Sequence, residues 1–164
     1  MAGERDQRGA GTLLHGGHAV GDVAAVPSDV RLGQNRRHAR AACVAGDLHE
    51  IGLRMVTDFF EMDGWNTFHL GSNMPPGAVV DTVVSRRAHV LAISATISSH
   101  LGAVSTLIHH VRERPQCQAV KILVGGYPFL VSPHLWQTMG ADGGATNAQE
   151  AIILADRWLA HGSH

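Results

Sequence analysis

Beyond residue 38 the chain alternates short apolar runs with stretches in which apolar residues recur every three or four positions. The short runs are "ARAACVA" (39–45), "WNTFHLG" (65–71), "HVLAISAT" (89–96), "KILVGG" (121–126) and a weaker "DGGAT" (142–146). Their length and β-branched content predict strands. Leu53, Val56, Phe59, Phe60 and Met62 recur at near-helical spacing, as do Val79, Val80, Val83 and Val84 after "NMPPG". "LGAVSTLIHHVRER" and "NAQEAIILADRWLAH" complete the helical segments, the last with Asn147 as N-cap and Glu150 three residues on, at capping-box spacing. Strands alternating with helices predict an α/β fold: a doubly wound, Rossmann-like or flavodoxin-like sheet of five parallel strands. Residues 1–38 are rich in Gly, Arg and His and hold no period for more than a few positions. They predict a flexible N-terminal arm, with one domain over residues 39–161.

Composition narrows the function. The 164 residues are 45% hydrophobic, enough for one domain with a real core. Thirteen basic against fourteen acidic residues give a formal charge of -1, without the basic footprint of a nucleic-acid binder. Cys43 and Cys117 lie 74 positions apart with no metal-ligand spacing, which reads as reduced thiols. No apolar stretch approaches the roughly 18 to 20 residues that cross a bilayer, and the N-terminus lacks a signal-peptide core. These features predict a cytoplasmic protein with neither nucleic acid nor membrane as direct partner.

The chemistry concentrates in "GDLHEIG", residues 46–52, between the first strand and the first helix. In open α/β sheets ligands bind beyond the carboxyl ends of the strands, in such loops. One ring nitrogen of His49 can ligate a metal while the other donates to a carboxylate, and Asp47 is two residues away. Gly52 would let the helix start close to a bulky planar ligand. The plainer alternative is a polar turn whose Asp favours the helix dipole.

Two further stretches bear on that choice. Ser94, in "ISAT", follows Gly52 after 41 intervening positions, and Gly125-Gly126 follows Thr96 after 28. The ordered set "DLHEIG", "SAT" and "GG" resembles the cobalamin-binding domain family, whose motif reads D-x-H-x-x-G, S-x-L, G-G at about these separations. The resemblance covers residues 40–160. It implies that His49 displaces the cofactor's dimethylbenzimidazole and binds cobalt from below, with Asp47 as its hydrogen-bonded partner. It implies that Ser94 contacts the displaced nucleotide tail and that Gly125 and Gly126 leave space for it, in keeping with glycine's use where backbone approaches a ligand. Thr96 departs from the usual leucine, which bears on the tail contacts. The methyl or adenosyl form of the cobalamin is left open.

Other patterns lead away from chemistry. "HEIGL" lacks the second histidine of the zinc-protease pattern, because Leu53 stands there, and the further ligands of a metallophosphatase are missing from the strand ends. His109 and His110 read as a solvated helix face, and His100 as a residue near the corrin rim at most. Tyr127, Pro128 and Phe129 read as a turn that either plugs the tail slot or packs in the core. Trp65, Trp136 and Trp158 read as packing residues, and "QNRRHAR" as a solvated approach to the first strand.

Proteins of this family serve as parts of mutases, as methyl carriers or as sensors. The corrin does the hard chemistry while the domain supplies the lower ligand and a platform. Residues 1–38 are too few for a helical bundle, so a protein partner or second subunit is expected over the upper corrin face. Three uses stand against one another: a B12-binding sensor or regulatory module, favoured on the look of the motifs; a methyl carrier working with a separate methyltransferase; and a cofactor-free flavodoxin-like interaction domain.

Overall fold

The computed structural model describes residues 37–44, 46–47 and 50–161. Most of the flexible arm expected over residues 1–38 lies outside them. Five strands, β1 (His38–Val44), β2 (Asn66–Met74), β3 (Val90–Ser94), β4 (Lys121–Gly125) and β5 (Gly143–Ala145), form one parallel sheet in the order β2-β1-β3-β4-β5. Six helices accompany them: α1 (Ile51–Met62), α2 (Pro76–Ser85), α3 (Leu101–Glu113), the short α4 (Tyr127–Val131) and α5 (Leu135–Thr138), and α6 (Ala148–His161). This is the expected doubly wound fold. The strand order reverses between β1 and β3, so the loops after these two strands diverge and leave a crevice.

Alternation along the strands divides the core into two layers. Ala42, Val44, Leu91, Ile93, Ile122 and Val124 face a cluster that includes Val79, Val83, Val104 and Leu107 of α2 and α3. On the other face Ala39, Ala41, Cys43, Val90, Ala92 and Leu123 meet α1 and α6 through Leu53, Phe60, Ala151 and Ala155. Phe60 and Trp65 anchor that layer edge to face, with ring centroids 5.2 Å apart. Phe129 is buried in the α2/α3 layer, which decides its reading in favour of core packing, while Tyr127 is exposed. Cys43 and Cys117 are both buried thiols, one in each layer.

The basic approach to β1 is not simply solvated. Arg37 pairs with Asp63 and Asp156 and lies over the Trp65 ring, 5.2 Å from its centroid. Arg40 is buried and donates to the carbonyls of Ala39, Asn66 and Arg86. The Arg40 Nη1 and Nη2 donors have carbonyl partners although its Nε has none, and such pairing is what lets an arginine be buried.

Strand β2 runs three residues further than its hydrophobic pattern predicts. Its register against β1 shifts between Ala41 and Ala42 and again between Ala42 and Val44, where Gly71 and Asn73 take positive φ of 101° and 53°. Bulges of this kind re-aim a strand end, and no alternation marks them in sequence.

Helix α6 starts on a shifted capping box. The Glu150 N–H donates to Asn147 Oδ1 at 2.9 Å, but Glu150 Oε2 accepts from the N–H and hydroxyl of Thr146 rather than from the cap residue. Those two bonds hold the Glu150 carboxyl below its ordinary range. A depressed folded value means stabilisation that is present above the unfolded value, about 4.3, and lost as pH falls through the folded one. Discounted for solvent screening, since these bonds are exposed, Glu150→Gln is expected to cost no more than about 0.5 kcal/mol at pH 7 and progressively less in acid, read from urea midpoints across pH 3 to 7.

Candidate functional site

The loops after β1 and β3 are tied together through Asp47. Its side chain is fully buried, and it does not cap α1, whose N-cap residue Glu50 makes no side-chain capping bond. Asp47 Oδ2 accepts the Thr96 N–H at 2.7 Å and Oδ1 accepts the Thr96 hydroxyl at 3.2 Å. The Nδ1 of His100 lies 3.5 Å from Oδ2. From the β2 side Asn73 completes the clamp: its N–H donates to the Asp47 carbonyl at 3.0 Å, and its Oδ1 accepts the Gly46 N–H at 2.7 Å. His49, with Ala45 and Leu48, lies outside the described residues.

Beside this clamp, on the α1/α6 face, a cavity of about 560 Å³ opens at the carboxyl ends of β3 and β4. Its walls include Gly52, Val56 and Phe59 of α1, Ser94, Gly125-Gly126, and Thr146 to Ala148 at the start of α6. The volume is in the range of small-molecule and cofactor pockets. Side-chain size explains the void. The sheet offers Ala92 and Ala145 here and α6 offers Ala148 and Ala151, while the bulky Phe60, Trp65 and Trp158 belong to the same layer outside the cavity wall. Among the described residues the Ser94 hydroxyl on this wall makes no hydrogen bond.

The three glycines differ in what they do. Gly126 has φ 105°, and a Cβ there would lie 2.1 Å from the Ala95 carbonyl oxygen. A Cβ on Gly125 would lie 3.3 Å from the Ala145 carbonyl, so Gly125 lets β5 come close. At Gly52 a Cβ meets nothing within 4 Å and would stand on the cavity wall.

Of the sequence-derived residues, Gly52, Ser94, Gly125 and Gly126 thus line one cavity, and Asp47 and Thr96 are hydrogen-bonded beside it. Thr96 is an Asp47 partner rather than a cavity wall, so its departure from leucine bears on the loop with the histidine. His109 faces solvent and pairs with Glu113, and His110 is exposed. Sequence reasoning missed Asn73 and the inward turn of His100; the only signal for either was a polar residue within a few positions of a strand end. Cys43, next to the clamp, has its thiol pushed up to about 11 by burial, then by Asp47 and Glu50, so it is no thiolate ligand at neutral pH. Glu50 turns toward His69, Oε2 to Nε2 3.8 Å. Among the described residues no three His, Cys, Asp or Glu side chains are grouped to hold a metal ion, and no helix is long and apolar enough to cross a membrane.

A family model described as the B12 binding domain matches residues 37–153. The chain belongs to the B12-binding domain family. Its cofactor is cobalamin. This B12-binding chain is 30% identical over 117 residues to dimethylamine corrinoid protein 1 of Methanosarcina mazei, covering 71% of this chain and 53% of that protein. Among solved structures it is similar to a cobalamin-binding protein from Desulfitobacterium hafniense, with TM-score 0.70 and 27% identity over 76% of this chain and 60% of that one. It is also similar to the monomethylamine corrinoid protein of Methanosarcina barkeri, with TM-score 0.66 and 29% identity over 72% and 56%. The chain spans a little over half the length of the curated relatives it matches.

The glycine geometry separates folding from ligand space. Gly126→Ala is expected to lose roughly 2–4 kcal/mol, from a positive φ combined with overpacking. Gly52→Ala, in the first turn of α1, is expected to be neutral or stabilising by up to about 1 kcal/mol. Urea unfolding of the two variants beside wild type checks both.

Proposed function

We propose that this chain is a corrinoid methyl-carrier module that binds cobalamin base-off, with His49 as the lower cobalt ligand. The observation that carries the reading is the cavity between α1 and α6, bounded by Gly52, Ser94 and Gly125-Gly126 and lying beside the clamp that fixes Asp47, two residues before His49. The residues suit the group. A displaced nucleotide tail needs a long, mostly apolar slot with few polar anchors, and the Ser94 hydroxyl and Asn147 stand on the walls.

When bound, the corrin supplies a cobalt centre that accepts and gives up a methyl group. The chain's own residues do the rest. Asp47, held by Thr96 and Asn73, would accept a hydrogen bond from the second ring N–H of His49, which would fix the tautomer and raise ligand basicity. Gly52 keeps the mouth of the slot open and Ser94 donates to the tail. Ile51, Ile97 and Tyr127, exposed on the segments that follow β1, β3 and β4, are apolar surface that a macrocycle would cover.

The methyl-carrier reading is preferred to the sensor reading, which the motifs alone favoured, because the relatives are named as methylamine corrinoid proteins. A carrier works with a separate methyltransferase, and that partner meets the upper corrin face.

Reconstitution tests the reading. Purified protein is mixed with hydroxo-, methyl- or adenosylcobalamin, freed of excess cofactor and examined by visible spectroscopy, beside His49→Ala and Gly52→Leu. Expected are retained corrin in wild type, a band shift that His49→Ala removes, and at least tenfold weaker retention in Gly52→Leu with thermal unfolding no lower than in wild type. Methylcobalamin bound stably in the dark and demethylated by an added thiol and methyltransferase supports the carrier. Selective adenosylcobalamin uptake with a light-driven change of assembly would restore the sensor, and no uptake of any form leaves the cofactor-free interaction domain.

A further inference from the structure

The outer faces of the two layers differ. Among the described residues none of the exposed large apolar side chains belongs to α2 or α3, and the outward positions of α3 include Ser105, Thr106, His109 and Glu113. On α1, by contrast, Met55, Phe59 and Met62 are 55%, 45% and 82% exposed. Their spacing of four and then three residues sets them in one row along the helix, the arrangement of a seam between helices. Helix α6 packs beside α1 and leaves Ile153 half exposed. Single apolar residues on a surface need no explanation, but a row of three large ones marks a contact.

The charges beside the row say what fits it. Arg54, Asp58 and Glu61 form an adjoining row, one residue back at each step and so rotated by about 100°, and all three are exposed. Glu61 accepts from the Thr67 hydroxyl of β2, which puts this row on the side of the sheet edge, and Arg54 lies 3.7 Å from Glu50. Along the row the order is positive, negative, negative. A second copy of the helix laid parallel would set Arg54 on Arg54 and acid on acid. Laid antiparallel, about a twofold axis that crosses the helix near Asp58, it reverses the order and brings each Arg54 opposite Glu61 of the other copy, while Met55 meets Met62. The patch is thus complementary to itself, as an isologous contact requires.

We propose that α1 pairs antiparallel with α1 of a second copy of this chain, with Met55, Phe59 and Met62 as the seam and Arg54 and Glu61 as the flanking pairs. The inference does not depend on the corrin reading. Met55 and Phe59 also stand on the cavity wall, so the contact lies on the outer side of the slot. With α6 alongside, two helices present a face of about 20 Å by 20 Å. That is the size of a reversible contact rather than an obligate one, and the expected dissociation constant is about 10–100 µM.

Sedimentation velocity of the full chain without cofactor, over concentrations that bracket this range, is the test. A reversible monomer–dimer equilibrium is expected. Met62→Lys, which places a cation against Arg54 of the second copy, should weaken it at least tenfold. Arg54→Glu and Glu61→Arg should each weaken it about tenfold, less at high salt, and the double variant should return to within about threefold of wild type. Asp58→Cys, near the axis, should form a disulfide-linked dimer under mild air oxidation, whereas Ser105→Cys on the outer face of α3 should not, the native thiols being buried. All of these positions are exposed, and Asp58→Cys leaves the seam and both flanking charges in place. A monomer at every concentration would overturn the proposal and leave the row to residues 1–36 or to a different protein. A dimer untouched by Met62→Lys, or charge reversals that do not rescue each other, would overturn it in favour of another face. Corrin uptake or its failure in the reconstitution changes none of these outcomes.

Discussion

A carboxylate with no solvent exposure organises the functional end of this molecule. Burying Asp47 is unfavourable unless its oxygens are met by donors, and bonds to a charged group contribute about 1.5–3 kcal/mol each where a buried charge left alone costs more. The backbone N–H and hydroxyl of Thr96 meet that need. Because Asp47 follows β1 and Thr96 follows β3, the bonds span the point where the sheet reverses direction, and the two loops become one unit. Asn73, in the bulged end of β2, secures the backbone of the same loop. Three neighbouring strands therefore hold one short segment, the one that continues into His49. The groups that hold the segment are mostly backbone and short side chains with little freedom to lose.

The second constraint is the inequality of the two layers. On the α2/α3 side the strands contribute Val44, Leu91, Ile93, Ile122 and Val124 beside Ala42. On the α1/α6 side β1 contributes Ala39, Ala41 and Cys43 and β3 contributes Ala92. Phe60, Trp65 and Trp158 belong to that layer but not to the cavity wall, where Ala92, Ala145, Ala148 and Ala151 leave space beside Phe59 at the carboxyl ends of β3 and β4. Gly126 belongs to the same arrangement for a different reason. Its positive φ and its approach to the Ala95 carbonyl turn the chain away from the mouth of the cavity. Space for the ligand thus comes from small side chains on the walls and from backbone conformation at the rim.

The fold and the cavity were legible in sequence to different depths. Parallel strands buried on both faces read as continuous apolar runs, which is why β3 and β4 were plain. β2, on the sheet edge and bulged, has no such pattern beyond residue 71, and its extension to Met74 rests on the unusual φ of Gly71 and Asn73. The cavity glycines could be found by spacing because each sits at a fixed place after a strand. The electrostatic clamp could not. Thr96 in place of leucine looked like a change in the tail contacts, and only the geometry shows its hydroxyl committed to Asp47. His100 was read as a residue near the corrin rim at most, but the 3-10 turn before α3 places it beside Asp47, and helical periodicity carries no information about a turn of three residues. The basic residues before β1 show the same limit, since an arginine buried among carbonyls and one in water have the same letter.

Binding and chemistry are separable in such a design. Every described element of the proposed slot and clamp lies between Gly46 and Ala151, and the family match covers the same stretch. The lower half of the site is thus specified by one sheet and its loops, independent of what meets the upper face. Ile51, Ile97 and Tyr127 are exposed on the segments that follow β1, β3 and β4. For a carrier this division has a physical advantage. The slot and the lower ligand hold the cofactor through many visits, which demands a buried, slowly exchanging contact, while the upper face must release one partner and admit the next, which demands a weak one. Tight contact on one side and weak contact on the other is easier to build from two surfaces than from one enclosed pocket, because each can be tuned without disturbing the other.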